Sequence, residues 1–583
     1  MTDSMHSAQP ENTRKPDETI PNAASTPTPA STVSPIPQAG QQPSLPAGTR
    51  ETTASAPGCL AGRGTVPVIQ MDKHFSVKER IAAFLALGIG YLFVRLVLSG
   101  SLGIGACIFF LIVLAFSVWC FFASGRRMGK HSVLQLGILV LFSLNLLFSA
   151  NPLLKTLDCL FLIAAGIYWI YASCQVPEGI RRIFLFDWLK AAFFLPFRYF
   201  GAAGRAMISA SRSKTKLLKH FLIGLCIALP LTFIVTVLLL LADDTFRSLL
   251  DGLIGKIFLF IWQFAWGIPV AFYLFGLLFA CIRDKNLHTD GLRQYRSAME
   301  NLRVVPSSTL IAVSAPLCLV YLLFIISQFI YLFHCLTTIQ TTPETFQYAA
   351  YARQGFFELC LVSLINLGIL SLTNLLTRYK DGKKPVGIRV VNVLVSVFTL
   401  FLIGVAMIKM ILYIDAFGFT RLRIYTSWFM VLVAVVFIVL LIQQFRPKMH
   451  FAKAVLIPSL LLFFLLSFMD TDAVIAKYNV EWYRSGKHEE IDIQMFYDLS
   501  SAAAPYVIPL MEDSDPKVAA EAEEYLHYVR RSLVSQPARS FNLSAAATLR
   551  QVTEALNGQH TDLYAAIPQL EAPIADAAYR QIP

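Results

Sequence analysis

The sequence predicts an all-α fold: a polytopic transmembrane helical bundle of about eleven spans, a small helical domain after it and a disordered tail before it. Three observations predict this. The 583 residues are 56% hydrophobic and only 15% charged, against roughly 45–50% and about 25% in a soluble domain. The apolar excess is gathered into blocks of about 20 residues with almost no charge, the length that crosses a hydrocarbon core. Lys and Arg are abundant in every second connector and scarce in the others, the charge signature of a multi-pass topology.

Residues 1–70 are rich in Pro, Ser, Thr, Ala and Gln and show no periodic apolar face. Such a segment cannot bury enough surface to offset chain entropy, so a disordered cytoplasmic tail is expected. It has no apolar core before Ile81 and is not a signal peptide. The transmembrane domain, 71–468, follows with spans at 81–99, 102–123, 132–150, 157–174, 220–241, 256–281, 308–334, 355–376, 388–412, 426–444 and 450–468. Pro230, Pro269 and Pro316 fall inside spans, where they kink rather than break a helix. The first two spans are joined only by "SGSLG".

Region 71–468 carries 36 Lys/Arg against 15 Asp/Glu. Six alternating flanks hold 28 of these cations, whereas the opposite five connectors hold only Lys155, Arg247, Arg353, Arg421 and Arg423. The bias places the N-terminus in the cytoplasm and the C-terminus outside. Because the basic residues flank apolar spans, they set topology, and nucleic acid is not expected as a partner. One cytoplasmic loop mixes basic and aromatic residues around Pro196, and interfacial helices are expected there over about 180–215.

Residues 469–583 hold 9 Lys/Arg against 17 Asp/Glu and read as an extracytoplasmic helical domain. Asp515 and Pro516 have the types of an N-cap and a first helical residue, with Arg530 and Arg531 near the far end. A further helix over "LSAAATLRQVTEALNG" is expected to stop before Gly558.

Several chemistries lack their signatures. There is no H-E-x-x-H, no P-loop and no G-x-S-x-G elbow. None of the ten cysteines forms a C-x-x-C pair, which argues against a disulfide scaffold or zinc module. No metal and no cofactor are expected. Asp243-Asp244 resembles an acidic catalytic pair, yet its position at a span boundary suits an N-cap better.

What remains is a set of ionisable groups near the outer face: Arg353 and Glu358 in "YARQGFFEL", Lys409, then Tyr413, Asp415, Arg421 and Arg423 in "YIDAFGFTRLRIYTSWF", and Asn479 at the end of "MDTDAVIAKYN". Thr420 has the type of an N-cap, which makes Arg421 and Arg423 the first and third residues of a span. Cations there oppose the helix dipole by roughly 0.3–1 kcal/mol each. They require anionic partners: Asp415, Glu358, Asp470, Asp472 or a bound anion such as a phosphate headgroup. Arg–carboxylate pairs that merely tie spans together are the competing reading. Arg95 and Lys409 suit snorkelling to the interface, and Lys155 reads as an ordinary outer-connector charge.

The same stretches, followed by "YDLSSAAAPYVIPL", resemble the bacterial multi-pass membrane family catalogued as domain of unknown function 4173, over roughly residues 200–515. That family's Leu-Ser-x-Asp-Ala-x-Pro-like pattern appears here as Leu499 to Pro505 without the acidic residue. The resemblance implies a bacterial plasma-membrane protein and supplies no activity. The expected function is a non-enzymatic envelope protein that binds an extracytoplasmic ligand or partner and signals or scaffolds. The alternatives are a transporter or lipid flippase, and a transferase on a lipid-linked substrate with Glu358 or Asp415 as base. The expected partners are the lipid bilayer and, at the outer face, an anionic ligand or another envelope protein.

Overall fold

The computed structural model describes residues 75–100, 102–175, 180–181, 183–210, 244–284, 297–338, 356–379 and 384–565, with a few single positions between 231 and 295. The tail expected at 1–70, most of the span expected at 220–241, and Arg353 lie outside the described residues. Nine described helices are long and apolar enough to cross a membrane, and no strand occurs among the described residues beyond one isolated bridge, Val305 to Thr377. The molecule is an all-α polytopic bundle.

The first group of helices is α1 (Val77–Phe93), α2 (Ile104–Ala123), α3 (Lys130–Phe148) and α4 (Pro152–Gln175), the short α5 (Phe184–Leu189), α6 (Leu195–Arg198) and α7 (Ala202–Ala210), and the long α8 (Asp244–Arg283). A capping box starts α1: the Ser76 hydroxyl accepts from the Glu79 amide, and the Glu79 carboxylate accepts from the Ser76 amide. α1 then crosses α8 at Gly90 and Gly267. A Cβ on Gly90 would stand 2.1 Å from the Gly267 carbonyl oxygen, so the backbones touch. Close glycine crossings of this kind pack helices where no hydrophobic driving force separates lipid from protein.

The helices α6 and α7 pack on α8 and α5 on α4, and the segment leaves Leu185, Phe193, Phe194, Phe197 and Ile208 exposed. An exposed aromatic face of this kind suits the membrane interface. Asp187 is fully buried among these helices and pairs with Arg181 at 2.9 Å.

The second group is α9 (Ser307–Thr338), α10 (Phe356–Leu376), α11 (Val386–Phe417), α12 (Arg421–Phe445) and α13 (Phe451–Phe468). α10 falls on the span expected at 355–376. Pro269 lies inside α8 and Pro316 inside α9, each in an unbroken helix. The group's core places Val395 and Met410 of α11 against Met430 and Phe437 of α12. Polar side chains cross it in a seam: Tyr321 donates to Asn366, Asn366 to Thr399 at 2.9 Å, and Thr373 to Asn392 at 2.8 Å. At its end Lys384 donates to Asn374 and Gln444, both at 2.7 Å. Burial, with Arg389 nearby, lowers the Lys384 ammonium to about 8.

The C-terminal helices are α14 (Thr471–Arg484), α15 (Gln494–Tyr497), α16 (Ala504–Val507), α17 (Pro516–Val534) and α18 (Leu543–Ala565). They share a core of Phe496, Leu510, Tyr525, Leu526 and Val552. Asp515 caps α17 by accepting from the Lys517 amide, with Pro516 first in the helix, as its sequence predicts. α18 does not stop at Gly558 but runs on to Ala565. One glycine among good helix formers costs only about 1 kcal/mol, too little to end a helix by itself.

This C-terminal cap clasps the tight α1–α2 connector. Arg539 donates to the Ser99 carbonyl at 2.6 Å, and the Ile104 amide to the Phe541 carbonyl at 2.9 Å. Gly103 is needed there, since a Cβ would meet the Ser540 carbonyl oxygen at 2.5 Å.

Candidate functional site

The α11–α12 hairpin turns at Gly418, whose φ of 71° and ψ of −172° lie in a region essentially reserved for glycine. A Cβ there would also strike Asn479. Asn479 reads the adjacent backbone in both senses: its Oδ1 accepts from the Phe419 amide at 2.9 Å and its Nδ2 donates to the Phe419 carbonyl at 2.8 Å. Thr420 caps α12 through the Arg423 amide, so Arg421 and Arg423 are its first and third residues.

The two arginines meet different partners. Arg423 donates to the Phe417 carbonyl at 2.7 Å and to the Gly418 carbonyl, while its guanidinium lies 4.1 Å from the Tyr413 ring centroid. Those carbonyls end α11, and a helix C-terminus favours a cation. Arg421 forms a fork with Asp472: Nε to Oδ1 at 2.8 Å and Nη2 to Oδ2 at 2.6 Å. The fully buried Asp472 also accepts from Asn151 Nδ2 at 3.0 Å and from the Ser500 amide at 2.9 Å. Four donors converge on its two oxygens. Burial and the neighbouring Asp472 charge raise the Asp470 carboxyl above its ordinary range.

Asp415 is exposed and takes part in no ion pair among the described residues. Lys409 is half-buried on α11. Glu358 is the third residue of α10, and its side chain, like Arg353, lies outside the described residues.

Two features escaped the sequence. Asp158 is fully buried, accepting from Asn145 at 2.8 Å and from Ser467 at 2.5 Å. Lys155, expected as an exposed connector charge, is only 5% exposed, with Nζ donating to the Leu102 carbonyl at 2.9 Å. The reason is local. Asn151 caps α4 by accepting from the Leu153 and Leu154 amides, and Pro152 starts the helix. Lys155 thus falls one turn inside α4, under the C-terminal cap. A Lys in the first turn of a span, with Asp158 three residues on, was the available signal.

Lys155 lines a cavity of about 640 Å3 between the ends of α1 and α4 and the C-terminal cap. Its walls are apolar on the span side, with Phe93, Val97, Leu160 and Ile163, and mixed on the cap side, where Ser501, Tyr528, Ser532 and Gln536 stand beside Leu499, Val529 and Leu533. Lys155 is the single Lys, Arg, His, Asp or Glu among the lining residues. Phe93 and Ile163 also line a second cavity, of about 420 Å3, which lies among α1, α2, α4, α6 and α8 and is almost wholly apolar. Tyr525 and Ser500 stand at the wall of the first cavity, and their buried hydroxyls have no hydrogen-bond partner among the described residues. Burial raises the Tyr525 phenol above its ordinary range. No cluster of potential metal ligands occurs among the described residues.

Long apolar helices, a glycine crossing and a polar seam define a multi-pass integral membrane protein. The chain belongs to a family described as a domain of unknown function (DUF4153), whose model matches residues 136–510. The family is uncharacterised, as was the one expected, and its number differs from the 4173 suggested by the sequence motifs. No curated protein and no solved structure matches the chain. The matched segment covers Lys155 and Ser500 but ends before Tyr525.

Proposed function

We propose that the protein is a non-enzymatic membrane protein that holds an amphiphile, a lipid or lipid-linked molecule, on the extracytoplasmic side. One observation carries this reading: a cavity with a partly polar, tyrosine-rich roof shares the walls Phe93 and Ile163 with an almost wholly apolar cavity among the spans. Sites of roughly 300–1,000 Å3 with mostly apolar walls and a few convergent polar groups are typical of small-molecule binding. Here the polar end lies where α1 ends and α4 begins, at the level where lipid head groups begin. The positive-inside bias sets that level on the extracytoplasmic side. The lining residues carry no carboxylate and no imidazole, the side chains that most often act as general bases, which favours binding over transfer chemistry.

The test is lipid retention by the full-length chain. After purification in mild detergent, native mass spectrometry is expected to find lipid bound at near one copy per chain. Ile163→Trp, which fills the shared wall, is expected to lose most of it. Leu461→Trp, on an exposed face of α13, is expected to keep it. Wild-type protein free of lipid, or Ile163→Trp with undiminished lipid, would overturn the reading.

A further inference from the structure

We propose that the head group taken by this cavity carries net negative charge, a phosphate monoester or diester with no cation of its own, borne on a lipid, and that Lys155 is its counter-ion. The inference rests on the amphiphile-binding reading and adds the ligand's charge. Lys155 is 95% buried by its 5% exposure, yet it makes one hydrogen bond, to the Leu102 carbonyl, and no ion pair among the described residues. An ammonium has three donors, and burying it without a counter-ion is costly.

The obvious internal partner is already engaged. Asp158 lies one turn along α4, but its oxygens accept from Asn145 and Ser467, and it does not line the cavity. The cavity wall contributes no acid that would neutralise Lys155 or repel an anion. Arg539 adds positive charge beside the wall residue Gly100, where its guanidinium donates to the Ser99 carbonyl. The wall also offers hydroxyl and amide donors from Ser501, Ser532 and Gln536. Among the described residues, the Ser500 and Tyr525 hydroxyls have no partner, and such buried groups are costly until a ligand or water satisfies them. A cation, neutral donors and no carboxylate together form a receptor for a phosphate rather than for a zwitterionic or cationic head group.

The experiment compares equilibrium binding of dioleoyl phosphatidylglycerol and dioleoyl phosphatidylcholine to the delipidated full-length protein. Wild type is expected to prefer the anionic lipid by about tenfold. Lys155→Gln is expected to bring the two lipids to near parity, and Lys155→Arg to keep the preference. Wild type that binds both lipids equally would overturn the anionic assignment and leave the amphiphile reading standing, and this outcome depends on no variant's folding. Wild type that binds neither would remove both. Displacement of the anionic lipid by millimolar sodium phosphate would assign the site to free phosphate and overturn the lipid source. No displacement supports a lipid-borne phosphate.

Discussion

Arg421 and Arg423 stand at the end of α12 where its dipole disfavours them, and each is compensated by a different neighbour. Arg423 reaches back to the C-terminal carbonyls of α11, so the dipole of one helix offsets that of the next. Arg421 uses Asp472, which is fully buried while the arginine side chain keeps 25% exposure. The asymmetry makes a prediction. Removing Arg421 strands a carboxylate that cannot reach water, whereas removing the charge of Asp472 leaves a guanidinium that can. Arg421→Met is therefore expected to cost about 3–5 kcal/mol, and Asp472→Asn distinctly less. Thermal unfolding in detergent checks this, and equal losses would show that burial does not govern the pair. The need for compensating partners was legible in the sequence, because capping and charge bias are local rules, but only Arg421 meets a carboxylate among the described residues, and Arg423 takes backbone carbonyls instead. The choice of Asp472 over Asp415 was not legible, since Asp415 is closer in sequence yet exposed.

At the scale of elements, the α1–α8 crossing depends on two glycines that no local rule singles out. The chain has 31 glycines, and a helix pattern treats Gly88 and Gly90 alike. The fold separates them: a Cβ on Gly90 meets backbone at once, while one on Gly88 meets nothing within 4 Å. Gly90→Leu is expected to push α1 off α8 and destabilise by about 1–3 kcal/mol or more, while Gly88→Leu, two residues away, is expected to be close to neutral. Midpoints of thermal aggregation for the two variants decide it, and matching values would mean that the crossing is not tight. The spans themselves were legible, because a run of apolar residues long enough to cross a bilayer has few other stable fates. The polar seam from Tyr321 to Asn392 was not, because Asn and Thr within an apolar run show no partner until helices are paired.

For the whole molecule, the C-terminal cap and buried polar ties join the two groups of helices. Asn145 of α3 donates to Ser467 of α13, 322 residues away. Asp472 of α14 holds Arg421 of α12 and Asn151 ahead of α4. Arg539 and Phe541 clasp the α1–α2 connector. The positive-inside bias predicts that the cap lies outside the cell and the 446–450 connector inside. In a background with the native cysteines replaced, a membrane-impermeant maleimide is expected to label Ser535→Cys in intact cells and to label Arg446→Cys only after lysis. The reverse pattern would invert the topology and place the proposed amphiphile site on the other leaflet.

The sequence by itself determined that this chain is a helical membrane protein, where most spans run, how α12 and α17 are capped and which connectors carry positive charge. Each of these follows from short-range physics: hydrocarbon thickness, backbone hydrogen bonding and helix-end electrostatics act within about 20 residues. Only the tertiary structure decided that Lys155 is a buried cation rather than a loop charge, that Asp472 receives Arg421, and that a cavity with a partly polar roof adjoins an apolar one at Phe93 and Ile163. A cavity is the space left between elements that pack from distant parts of the chain, so no single stretch encodes it. Lys155 acquires its meaning from a cap folded from residues more than 300 positions later.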